Sequence, residues 1–125
     1  MDTARIRGEV EKAARTFAFV ETCSTGDGAM TAKAALQTTA GNIFIVSVSF
    51  SNYPSQMPDV WISKPSLPIN GPHRYTNGRI CYIHPQKWNP GFHDLTFVLG
   101  RAAKWLNKYE VWQKTGRWPG TQVQH

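Results

Sequence analysis

The sequence predicts an α+β fold in a single domain over residues 1–125: an N-terminal helix, a four-stranded antiparallel meander, a long loop and a C-terminal crossover helix. Three observations predict it. Apolar residues recur with helical period near both ends, alternating β-branched runs occupy the middle, and a proline-rich aperiodic stretch separates the last run from the second helix. With 125 residues and 41% hydrophobic content, the chain is long enough for one core and too short for two ordinary ones.

From Thr3 to about Arg15, Ile6, Val10, Ala13, Ala14 and Phe17 share one helical face. Arg5/Glu9 and Arg7/Glu11 sit four apart, where opposite charges support an exposed helix. The segment "FAFVE" (17–21) reads as a further strand, and "CSTGDGAM" (23–30) as a loop of turn-permitting residues. "TAKAALQT" (31–38) is a strand of weak propensity, and "TTAGN" (38–42) a hairpin turn. "IFIVSVSF" (43–50) alternates and is β-branched, the clearest strand of the chain, and "DVWIS" (59–63) is a short strand after it. Residues 64–93 hold five prolines and three glycines with no sustained period, the kind of irregular segment that carries function on a rigid scaffold. Asp94 is the expected N-cap of the second helix, whose core stripe is Leu95, Val98, Leu99, Ala102, Leu106 and Tyr109. Arg101, Lys104 and Lys108 form another face, and Gly116 and Pro119 end the pattern by about Lys114.

The net charge of +6 is unevenly spread. Residues 1–63 carry five Lys/Arg against six Asp/Glu, and residues 64–125 carry nine against two. A basic half suggests an acidic partner, yet no run of consecutive Lys/Arg occurs, so a solvated helix face is preferred and nucleic acid is not the expected partner. No run of about 18 apolar residues exists to span a bilayer. The charged N-terminus lacks the apolar core of a secretory signal, so a cytoplasmic protein with reduced Cys23 and Cys81 is expected.

Three motifs in series resemble those of ubiquitin-conjugating enzymes. Tyr53, Pro54, Pro58 and Val60 of "YPSQMPDV" match the Tyr-Pro…Pro-x-Val stretch between that family's third and fourth strands. "HRYTNGRICYI" resembles its His-Pro-Asn…Asn-Gly-x-Ile-Cys-Leu active-site segment, and "WNPG" followed by "LTFVL" its Trp-Ser-Pro-Ala and crossover helix. The resemblance covers the chain from the first helix to about Tyr109, and it implies that the long loop is the active-site loop. "WLNKYEVWQKTGRWPG" resembles a narrower bacterial group associated with cGAS-like nucleotidyltransferases in antiphage (CBASS) signalling. For that group the resemblance implies that the conjugated protein is the nucleotidyltransferase, joined through its C-terminal carboxyl group. The sequence also departs from the family. His73-Arg74-Tyr75 replaces His-Pro-Asn, so the family's supporting Asn is missing, and the distance from His73 to Cys81 is shorter than usual. The terminal helices of eukaryotic members have no counterpart, which implies a compact version whose partner surfaces are not carried over.

Cys81 carries the chemistry. A thiolate is both nucleophile and leaving group, so one cysteine can accept an acyl group from an activated carboxyl and pass it to an amine. On local context alone a buried structural thiol is an equal reading; the family position implies the nucleophile. Acyl transfer calls for an accessible sulfur, and neighbouring Arg79, His84 and Lys87 would favour the thiolate if their side chains turned toward it. His73 matches the family's loop-fastening histidine. Tyr75 stands where the Asn would be, with a hydroxyl able to donate to an oxyanion or to pack, and His84 is a candidate for proton transfer from an attacking lysine. Asn77 before Gly78 reads as a turn residue, and with Trp88 and Asn89 it is a candidate for the substrate-facing rim. Trp88, Trp105, Trp112 and Trp118 are candidates for a partner surface, though the first three better suit packing of helix to sheet. Cys81-x-x-His84 supplies just two metal ligands, so neither metal nor other cofactor is expected. No G-x-x-x-x-G-K phosphate loop is present, so the activated carboxyl comes from elsewhere, through a separate activating enzyme or another route. The resemblance thus implies an acyl transferase acting through a Cys81 thioester. The rivals are a non-catalytic binding module of the same fold, which usually lacks this cysteine, and a basic nucleic-acid-binding domain.

Overall fold

The computed structural model describes residues 3–24, 30–65 and 78–119. Helix α1 (Thr3–Ala13) leads into strands β1 (Phe19–Ser24), β2 (Met30–Gln37), β3 (Ile43–Ser49) and β4 (Asp59–Lys64), then a 3-10 turn at Pro85–Lys87 and helix α2 (Leu95–Thr115). The four strands form one antiparallel sheet in sequence order, the expected meander.

Alternation explains how the sheet closes the core. Met30, Ala32, Ala34 and Leu36 of β2 and Phe44, Val46 and Val48 of β3 point to one buried face, while Lys33, Gln37 and Ile43 lie exposed on the other. The register aligns Ala34 with Val46 and Ala32 with Val48, so small alanines sit beside branched neighbours and leave room for the helices. Helix α2 covers this face against β2 with Leu95, Val98, Leu99, Ala102, Leu106 and Tyr109 all buried, and α1 packs beside it on β1 through Ile6, Val10 and Ala13. Trp105 is buried too, stacked on Tyr109 with ring centroids 5.4 Å apart. No helix of the described residues is long and apolar enough to cross a membrane.

Several boundaries differ from the sequence reading, each for a local reason. α1 stops at Ala13, and Ala14 is exposed in a closing turn whose N–H groups, including Phe17 to Ala13 O at 2.9 Å, return to the helix. Arg5 and Glu9 pair at 2.5 Å, but Arg7 and Glu11 do not form an ion pair. β1 begins later and runs further than "FAFVE", because pairing of Thr22, Cys23 and Ser24 with Ala32, Thr31 and Met30 carries the ladder into residues expected to be loop. The 3-10 turn was not expected: the His84 side chain accepts from Gln86 N at 3.1 Å and caps it.

α1, the segment before α2, and the β3–β4 connection are tied together by one cluster. The Glu9 carboxylate accepts from Arg5 Nε, from the Leu95 N–H at 2.8 Å and from the Tyr53 hydroxyl. Arg5 Nη2 donates to Pro90 O at 2.8 Å and to His93 O at 3.1 Å. This fixes where the chain before α2 enters the fold, and with it the position of the site.

Candidate active site

Gly78, with φ 88°, turns the chain in a left-handed conformation that glycine adopts without a Cβ clash. The chain then runs beside β4, with Ile80 N bonded to Val60 O at 2.9 Å. Ile80, Cys81, Tyr82 and Ile83 are all buried. The Tyr82 hydroxyl donates to Pro58 O at 2.5 Å, and its carbonyl accepts from Arg101 Nε at 3.1 Å, so both the β4 side and α2 hold the residue after Cys81.

Two concavities flank this stretch. The larger, about 500 Å3, is lined by Met57, Pro58, Arg79, Ile80, Tyr82 and Trp88 among others. The smaller, about 20 Å3 and partly open, is lined by Cys81 together with Tyr82, Arg101, Lys104, Trp105, Lys108 and Trp118. That volume is room for about one water molecule. Cys81 is only 4% exposed, so the accessible sulfur expected from the sequence is a buried one in this conformation.

The charges around the sulfur also differ from expectation. Arg79 Nη1 turns to Asp59 at 2.6 Å and lines the larger cavity. His84 caps the 3-10 turn and Lys87 is exposed. The cations that share the recess with Cys81 are Arg101, Lys104 and Lys108 of α2. Burial, then the nearby Lys104 and Arg101 charges, lower the Lys108 ammonium below its ordinary range. Sequence reasoning had these three residues as one helical face, and only the crossing of α2 over the Ile80–Ile83 stretch joins them to Cys81. Trp118 was missed as a neighbour of Cys81. It lies beyond the C-cap and packs on Trp105 with ring centroids 5.5 Å apart.

The remaining candidates fall into two groups. His73, Tyr75 and Asn77 lie outside the described residues. Trp88 is half-buried, donates from its indole to Pro54 O at 2.8 Å and contacts Tyr53, so it packs the loop onto the β3–β4 connection while presenting one edge to the larger cavity. Asn89 is exposed, and its side chain accepts from Gly91 N at 2.8 Å, shaping the turn before α2. Neither cysteine is in a disulfide, and the described residues contain no group of three or more His, Cys, Asp or Glu able to hold a metal.

Comparison with known proteins gives a family and a fold. The model of the family described as "Type II CBASS E2 protein" matches residues 9–125. The chain is similar to one in a solved complex of the Vps23 UEV with ubiquitin, at 15% identity and a TM-score of 0.50, with 85% of this chain and 95% of that chain covered. The likeness is one of fold, and the fold is the ubiquitin-conjugating-enzyme-like one. No match was found among curated proteins.

Proposed function

The chain belongs to the type II CBASS E2 proteins of bacterial antiphage defence, and on that footing we propose that it carries the C-terminus of a protein as a Cys81 thioester and transfers it to a lysine amine. The conjugated protein in this reading is a cGAS-like nucleotidyltransferase. The observation that carries the reading is that Cys81 shares its recess with Arg101, Lys104 and Lys108, which stabilise the negative charge a nucleophilic sulfur develops. In the first step the Cys81 thiolate attacks the carbonyl carbon of an activated carboxyl; the C–S bond forms and the activating group leaves with its electron pair. In the second step a lysine amine attacks the thioester carbonyl, the C–N bond forms, sulfur departs as thiolate, and the amine gives up a proton. The Tyr75 hydroxyl serves the oxyanion, His73 fastens the loop, and His84 takes the proton once its Nδ1 gives up the Gln86 N–H bond. Asn77, Trp88 and Asn89 form the substrate-facing rim.

Mixed with a cGAS-like nucleotidyltransferase, and with any activating enzyme that reaction requires, the wild type forms an adduct that thiol reductant cleaves. Cys81→Ser traps an ester that reductant leaves intact, and Cys81→Ala forms no adduct. Undiminished adduct in Cys81→Ala would sink the mechanism. The burial of Cys81 favours a second reading, a binding module of the same fold that forms no covalent bond. The same experiment separates the two, because a module co-purifies with its partner equally well with or without Cys81 and yields no adduct.

A further inference from the structure

We propose that the stripe Arg101, Lys104 and Lys108 is a docking site for an acidic protein segment, the stretch of the conjugated protein that leads to the carboxyl group held at Cys81. It rests on the thioester reading for which segment binds, but not for the binding itself. Charge complementarity carries the argument. Among the described residues, the side chains lining the recess are Cys81, Tyr82, Arg101, Lys104, Trp105, Lys108 and Trp118, three cations and no carboxylate.

The described residues of this half of the chain do not supply the missing negative charge. Residues 64–125 contain two acids, Asp94 and Glu110. Asp94 is engaged by Lys12 Nζ at 2.6 Å and by the Phe97 N–H at 3.0 Å. The Glu110 carboxylate accepts from Asn42. Residues 66–77 and 120–125 contain no Asp or Glu at all. The three cations therefore repel one another without a counter-charge from the described residues of this half, and the lowered Lys108 ammonium reflects burial together with that repulsion. An anion laid along the stripe relieves it.

Shape selects a peptide over nucleic acid. Positions i, i+3 and i+7 span about 10 Å of helix, the length of roughly three extended residues. Three charges over that length neutralise few phosphates. Trp105 is buried against Tyr109 and so gives no platform for a base, and Trp118 leans on Trp105, so the described residues offer no row of aromatic rings for successive bases. Arg101 is anchored by its bond to the Tyr82 carbonyl, so the stripe starts beside Cys81 and leads away from it along α2.

The test is fluorescence anisotropy with a labelled short peptide of consecutive glutamates ending in a free carboxylate, set against its glutamine counterpart. Wild type binds the acidic peptide roughly tenfold more tightly at low salt, and the preference shrinks as salt screens the stripe. The double variant Lys104→Gln/Lys108→Gln, which leaves the Arg101 bond to Tyr82 intact, loses that preference. Cys81→Ala keeps it, so docking is read separately from thioester chemistry. Equal affinity for the two peptides, an unchanged preference in the double variant, or tighter salt-dependent binding of a single-stranded oligonucleotide at the same residues would each overturn the proposal.

Discussion

Asp94 combines two roles in one side chain. It caps α2 by accepting from the Phe97 N–H, and it pairs with Lys12 of α1. Burial works against its ionised form, but the Lys12 and Phe97 hydrogen bonds outweigh it and hold the carboxyl below the ordinary 3.8. The folded value lies below the unfolded one, so this stabilisation is complete above the unfolded value and is lost as pH falls through the folded value. An asparagine in the same place would still cap the helix but carry no charge, so Asp94→Asn should cost stability in urea melts at neutral pH and become nearly neutral in strong acid. Asp94→Ala should cost about 1 kcal/mol more than Asp94→Asn at neutral pH. A wild-type to Asp94→Asn difference that stays constant down to strong acid would refute the ionic contribution. The cap was legible in the sequence because it acts within one turn, whereas Lys12 lies far away along the chain and nothing local signals it. Cys81 shows the same division. The motif "NGRICYI" singles out Cys81 in the sequence, but Arg79, His84 and Lys87, its neighbours in sequence, turn to Asp59, to Gln86 and to solvent.

The C-terminal end of α2 sets how Cys81 is covered. Gly116 adopts φ 75° and its N–H caps Trp112 O at 2.8 Å, reversing the chain so that Trp118 reaches Trp105 at the rim of the recess. Trp118→Ala removes one wall and should raise the rate at which a small thiol reagent modifies Cys81, measured by mass spectrometry in a Cys23→Ser background. Gly116→Ala forces a Cβ into the left-handed region at a cost of about 1 kcal/mol and should act in the same direction by loosening the reversal. Unchanged Cys81 modification in Trp118→Ala would mean that the other walls alone control access. Whole elements were legible to very different degrees. β3 and α2 carry strong periodicity and matched the reading, including the Asp94 and Gly116 ends. β1 did not, because "TCS" has no alternation of its own and is drawn into the sheet by its partner β2. The 3-10 turn depends on one His84 contact that no residue pattern announces.

At the scale of the molecule, α1 and α2 close the same side of the sheet, and the Glu9 cluster binds them to the β3–β4 connection. Arg5 lies over the Tyr53 ring at 5.3 Å while holding Glu9, Pro90 and His93, so segments from both ends of the sequence meet at one point. Burial and the neighbouring Glu9 carboxylate raise the Tyr53 hydroxyl well above its ordinary range, so it stays a neutral donor at every working pH. Such a cluster couples elements that would otherwise fray separately, because loss of any one member exposes polar groups of the others to an apolar surrounding. The sequence expectation of a single domain over residues 1–125 therefore takes a testable form. Far-UV circular dichroism reports both helices and the sheet, and tryptophan fluorescence reports Trp61, Trp88 and the α2 region. In a urea titration the two probes should trace one transition. Glu9→Ala leaves the Leu95 N–H, the Tyr53 hydroxyl and Arg5 without their shared acceptor, and should lower stability by about 2–4 kcal/mol. If the domain is one cooperative unit, that variant moves the midpoint of both probes equally. A fluorescence transition that stays in place while the circular dichroism splits into two steps would make α1 a separately melting element and refute the single cooperative domain.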